Sequence, residues 1–189
     1  MTIRRWTSRA LFACAVSMLA YCGYILIDSR IFQKAELRQF QRLLTDRQQA
    51  ILQKPQPVAA DGLIGRIEIP RLGLSVIVME GTTRTILGRA AGHIVGTVLP
   101  GQPGNVGISA HRDTFFRPLR NIRQNDNIIL TTMVGEFRYR VVSMKVVNPE
   151  DLAALDSSTD EILTLVTCYP FYFIGSAPKR FIVRAERVI

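Results

Sequence analysis

The sequence predicts an all-β domain, a closed barrel of about eight short strands with short helices in its loops, preceded by an N-terminal transmembrane helix. Three observations predict it. Leu11 to Ile27, LFACAVSMLAYCGYILI, carries no charge. From Leu63 onward the chain breaks into short runs rich in Ile, Val, Thr and aromatic residues. Gly, Pro, Asn and Asp separate those runs, and these residues favour turns over regular structure.

The 189 residues suffice for one domain with a core and an appendage. A hydrophobic content of 48% with 21% charged residues excludes a disordered chain. The net charge of +9 is uneven: nine Lys/Arg face four Asp/Glu up to Gly62, and fifteen face eleven beyond it. A basic excess beside an apolar segment fits anionic lipid better than nucleic acid. No nucleic-acid motif accompanies it, and the aromatics do not interleave with the basic residues.

Residues 1–10 read as a cytoplasmic tail. Arg4, Arg5 and Arg9 precede the apolar run, which places the N-terminus inside and everything after Asp28 outside the cell membrane. Residues 11–28 read as the single-pass anchor. Leu11 to Ile27 would span roughly 25 Å as a helix, slightly short of a ~30 Å hydrocarbon core, and Ala10 and Trp6 can extend it. A cleaved signal peptide is the alternative; it lacks a small-x-small site, and bulky Tyr21 spoils LAYC as a lipoprotein signal. Cys14 and Cys22 are then lipid-facing or packing residues.

Residues 29–62 read as a juxtamembrane helix and linker. Ile31, Leu37, Phe40, Leu44, Ile51 and Leu52 recur at the spacing of an amphipathic helix, and the prolines of KPQPVAADG end it. Residues 63–189 form the barrel. Its expected strands are IGRIEIP, LSVIVM, GNVGISA, NIILTTM, FRYRVVSMKVV, EILTLVT and RFIVRAERVI. TRTILGRA and PEDLAAL are expected to form short helical turns.

Only one thiol lies in the barrel, so no disulfide framework exists there. In LTLVTCYPF, Cys168 ends a strand where a loop begins. A lone cysteine is often a small buried hydrophobe; the alternative is a nucleophile. His111 stands in the same context, ending the strand-like VGISA. A thiol nucleophile needs a proton carrier and a donor for the substrate oxygen. Arg180 follows the loop YPFYFIGSAPK and begins the strand antiparallel to that of Cys168, so the two should meet at one sheet edge. Arg184 lies roughly 13 Å farther along the same face and is the weaker candidate.

TLVTC matches the TLxTC signature of sortases, GNVGISAHRDTFFRPL resembles the segment around their histidine, and APKRFIV that around their arginine. TCYPFYFIGSAPKRFIV is most similar to the class D branch. The likeness runs from about Leu63 to Ile189. It departs at Ala110 and Ala91, where Gly and Pro are common, and at Asn125, where a Gly-Asp turn is usual. The resemblance implies a sortase-like barrel and a membrane-anchored cysteine transpeptidase with Cys168, His111 and Arg180 as its catalytic residues. It further implies cleavage of an LPxT-type sorting motif after Thr and transfer to an amine of cell wall or pilin.

Thr167, Tyr169, Pro170, Phe171 and the NPEDLAALDSS loop are the candidate substrate walls. Two rivals stay open: a thiol hydrolase on the same barrel, and a non-catalytic binding module. His93 reads as structural or as a rim residue, and Asp113 as a surface turn carboxylate. No cofactor is expected. Two histidines and one thiol leave no margin for a zinc site. Glu150, Asp151, Asp156, Asp160 and Glu161 could suggest calcium, but a solvated loop is the simpler account. GQPG lacks the GK[ST] element of a phosphate loop.

Overall fold

The computed structural model describes residues 2–49, 62–151, 153–172 and 175–188. Eight strands form a closed barrel in the order β1-β2-β3-β4-β7-β8-β6-β5. They are β1 (Leu63–Ile69), β2 (Leu74–Glu80), β3 (Ala91–His93), β4 (Asn105–Ser109), β5 (Asn127–Thr132), β6 (Glu136–Val147), β7 (Ile162–Tyr169) and β8 (Lys179–Val188). All seven expected runs are strands. The eighth, β3, is only three residues long and offered no alternation to read. It pairs in parallel with the end of β2 and antiparallel with β4. β1 pairs with both β2 and β5, which closes the barrel.

Alternation along the strands sorts side chains between core and surface. Leu163 and Leu165 on β7 and Val183 and Ala185 on β8 are fully buried, with Ile67, Ile108, Leu130 and Val141 in the same core. Burying each Leu removes it from water at a gain of roughly 2 kcal/mol.

Turn chemistry follows the residues. Between β1 and β2, Pro70–Leu72 makes one 3-10 turn, and Gly73 ends it at φ 62°, donating its N–H to Pro70 O at 3.1 Å. Asn125 takes φ 70°, a left-handed conformation that Asn tolerates, so it supplies the turn in which a glycine is usual. Ala91, the first residue of β3, and Ala110, just past β4, are both buried. The two expected helical turns appear as α2 (Arg84–Leu87) and a 3-10 turn at Ala153–Leu155.

The N-terminal segment is one helix, α1 (Thr2–Gln49), running without a break through the apolar run and the juxtamembrane stretch. Leu11, Phe12, Met18, Leu19, Tyr21, Tyr24 and Ile27 are all exposed along it. No helix among the described residues is long and apolar enough to cross a membrane. Farther along, α1 docks on the barrel: Phe40 is buried with Leu63 and Ile77, and Leu37, Met79 and Met133 pack around them. Of the expected amphipathic stripe, Leu37 and Phe40 face the barrel while Ile31 stays exposed. The side chains of Arg4, Arg5, Trp6, Arg9 and Leu44, together with Ile51, Leu52 and linker residues 54–61, lie outside the described residues.

Candidate active site

The site sits where three strands end. β4 and β7 run parallel, with Ser109 beside Val166. Beyond that pair the contact continues for two more bonds. Ala110 N–H donates to Val166 O at 3.3 Å, and Thr167 Oγ1 donates to Ala110 O at 2.7 Å. These bonds hold the segment entering His111 against the end of β7. On the other side of β7, Cys168 lies directly opposite Arg180 of β8. Directly opposed residues share a face of a sheet, so the thiol and the guanidinium emerge together.

His111, Cys168 and Arg180 line one groove of about 310 Å³, with Thr82, Leu87, Ile94, Ser109, Ala110, Val166 and Thr167 completing it. His111 is exposed, and Cys168 and Arg180 are half-buried. Arg180 Nη1 donates to Ala177 O at 3.3 Å and Lys179 O at 3.1 Å, which fixes the guanidinium at the groove's rim.

Strand period decides which neighbours share this face. Val166 and Ile182, then Thr164 and Arg184, continue the face of Cys168 and Arg180. A second depression of about 170 Å³ lies along it, lined by Ile182, Arg184, Ser143, Lys145, Val147, Asp151, Ala153 and Ala154. Part of the NPEDLAALDSS loop therefore walls an extension of the same sheet face. Its carbonyls are held from below: Asn105 Nδ2 donates to Ala154 O at 2.9 Å and Asp156 O at 3.2 Å, while Thr164 Oγ1 donates to Asn105 Oδ1 at 2.8 Å.

Thr167 and Tyr169 fall on the opposite parity. Thr167 is buried, its hydroxyl committed to Ala110. Tyr169 and Phe171 pack with Phe181, with ring centroids 5.4–6.3 Å apart, and close the barrel end. Of the four expected wall residues, Thr167 lines the groove, while Tyr169, Pro170 and Phe171 are not among its lining residues.

Two arginines that sequence reasoning did not single out join the loops flanking the site. Arg112 is buried, and its Nη2 donates to Gly175 O at 2.9 Å. Arg120 Nη1 donates to Tyr172 Oη at 2.6 Å, with its guanidinium 5.4 Å from that ring. The only sequence signal for Arg112 was its place next to His111. His93 is buried in the barrel wall. Its Nδ1 lies 2.9 Å from Glu80 Oε2 and its Nε2 3.1 Å from Val98 O, so both ring nitrogens are engaged. Asp113 is exposed. Among the described residues, no group of three or more His, Cys, Asp or Glu could hold a metal ion.

A sortase-domain family model matches residues 67–188. The chain belongs to the sortase family. It is 35% identical over 136 residues to Sortase D of Bacillus subtilis, covering 71% of this chain and 67% of that protein. Among solved structures it resembles the Sortase D5 transpeptidase of Clostridium perfringens, with a TM-score of 0.68 and 26% identity over 83% of this chain and 98% of that one. Sortase C-1 of Actinomyces oris superposes with a TM-score of 0.63 and 29% identity over 69% of this chain and 76% of that one. Sortases are cysteine transpeptidases that anchor surface proteins or pilins, and this sortase carries the thiol that such chemistry requires.

Proposed function

We propose that this sortase cleaves an LPxT-type sorting motif after its Thr and passes the acyl group to an amine acceptor of cell wall or pilin. The observation that carries the reading is the placement of Cys168, His111 and Arg180 on one groove. Cys168 gives its thiol proton to His111, and the resulting thiolate attacks the Thr carbonyl carbon. Arg180 donates hydrogen bonds to the developing oxyanion and stays charged at every relevant pH. His111 protonates the departing amine as the C–N bond breaks, leaving a thioester on Cys168. His111 then takes a proton from the incoming amine, which attacks the thioester carbonyl. The thiolate leaves, and a new amide replaces the old one without ATP. The apolar side chains of Leu87, Ile94 and Val166 in the groove favour the amine over water.

The exposed apolar side chains of α1 support its burial in lipid, with the catalytic barrel outside the cell. The charge-free run is slightly short for a full span, and local thinning or interfacial anchoring accommodates such a mismatch. Confinement to one surface raises the effective concentration of an anchored substrate. Resistance of the full chain to alkaline extraction from membranes tests this part.

The chemistry is tested by intact mass spectrometry after incubation with a library of LPxT-like peptides. The expected result is a thioester adduct on the wild type, absent from Cys168→Ala, that added amine converts to an amide product. Carboxylic acid product alone, whatever amine is supplied, would make the protein a hydrolase. Full transpeptidation by Cys168→Ala would remove the mechanism.

A further inference from the structure

One wall of the catalytic groove is tied to the helix that leads from the N-terminus. Thr82, just ahead of the Thr83 cap of α2, and Leu87, its last residue, line the same groove as Cys168. α2 has no buried residue of its own, so its neighbours set its position. Leu87 rests on Gly92, where an added Cβ would come within 3.2 Å of Leu87 Cδ2. The turn that ends α2 presents the carbonyl of Arg89, and Gln33 Nε2 on α1 donates to it. The guanidinium of Arg89 lies 5.6 Å from the centroid of the Phe32 ring, also on α1.

The other end of the Gln33 amide is also used. Gln33 Oε1 accepts from Ile77 N–H at 3.1 Å. β3 pairs only with Val78, Met79 and Glu80 of β2, so Ile77 stands on a stretch of β2 that β3 does not cover. A strand edge with an open N–H needs an acceptor, and α1 supplies it. One side chain therefore joins the edge of β2 to the turn behind the groove wall. Phe40, two turns farther along α1, is buried against Leu63 and Ile77 and holds the helix in register for both bonds.

We propose that Gln33 is a positioning residue for peptide binding: through the Arg89 carbonyl it sets the place of the α2 wall relative to Cys168. The helix leaving the membrane and the substrate groove then act as one mechanical unit. An extended peptide bound between α2 and the β7–β8 face reads the position of Gln33, and the thiol itself does not. The inference rests on the transpeptidase reading.

Two substitutions separate the two bonds. Gln33→Glu keeps an acceptor for Ile77 N–H and loses the donor to Arg89 O. Gln33→Lys keeps a donor and loses the acceptor. The full chain in detergent micelles, with Cys14 and Cys22 replaced by Ser, is labelled at Cys168 with two probes: a small methanethiosulfonate, and a Leu-Pro-Ala-Thr peptide bearing a C-terminal chloromethyl ketone. In Gln33→Glu the peptide probe should slow by roughly three- to tenfold, the scale of one hydrogen bond's net contribution, with the thiosulfonate rate unchanged and Gln33→Lys near wild type. An unchanged peptide rate in Gln33→Glu overturns the proposal. Equal slowing of both probes, or of both variants, overturns it too, because that pattern is general loosening. A wild type that takes the thiosulfonate and refuses the peptide would remove the LPxT reading, and the proposal with it.

Discussion

Cys168 and Arg180 face each other across β7 and β8, one residue pair from the point where the two strands separate. Antiparallel register alone brings them together, with no long-range packing needed between their side chains. The groove they share also receives His111, because one bond from Ala110 N–H to Val166 O and one from Thr167 Oγ1 to Ala110 O prolong the parallel pairing of β4 with β7.

Register places Arg180, not Arg184, on the groove beside Cys168. Arg184 lies opposite Thr164 and lines the second depression. Arg180→Lys should lower kcat/KM by about 10²–10³, the scale of a lost oxyanion donor, since an ammonium cannot reproduce the planar fork. Arg184→Lys should stay near wild type. Steady-state kinetics on the two variants decide it; the reverse ranking would move the role to Arg184.

Thr167 should matter through Ala110 and not through contact with the peptide. Thr167→Val keeps the shape and removes the donor to Ala110 O, at a cost of about 1–3 kcal/mol for a buried carbonyl left short of a partner. The misplaced neighbour is His111, so kcat should fall more than KM rises. Thr167→Ser should restore both. Urea titration together with the kinetic split checks this, and a Val variant with wild-type kcat would contradict it.

Acid stability should depend on Asp126. Its carboxylate accepts from Arg71 Nε and Nη2 at 2.5 Å and from Arg123 N–H at 2.7 Å, tying the β1–β2 turn to the chain entering β5. The hydrogen bonds from Arg71 hold this carboxyl below the usual carboxylate range. A depressed carboxyl contributes stability above its unfolded pKa of about 3.9 and loses it as pH falls through the lower folded value. Asp126→Asn should thus be less stable than wild type at pH 7, and the gap should shrink as pH drops below about 4. Urea midpoints measured at both pH values test the sign.

Much of the barrel was legible in the sequence because its strands alternate and its turns are marked. The strand that escaped, β3, has three residues, Ala91, Gly92 and His93, too few to show a period. Gly92 is there for close approach: an added Cβ would lie 2.2 Å from Gly81 O. The pairing of Cys168 with Arg180 was readable because a single loop separates two antiparallel strands. Tyr169 and Phe171 show the limit. They flank the thiol in sequence, yet strand parity and the turn at Pro170 carry them to the aromatic cluster with Phe181.

The amino-acid order by itself determined the class of fold, the order of the strands along the chain and the residue types able to perform acyl transfer. Those features depend on local periodicity, turn chemistry and the intrinsic reactivity of side chains. Only the tertiary structure decided that Arg112 is buried beneath the loops, that Thr167 serves Ala110, and that Gln33 of α1 reaches both Ile77 and Arg89. The physical reason is the same for all three. Each contact joins segments far apart in the chain, and which polar group meets which is set by closure of the barrel and by the docking of α1 on it.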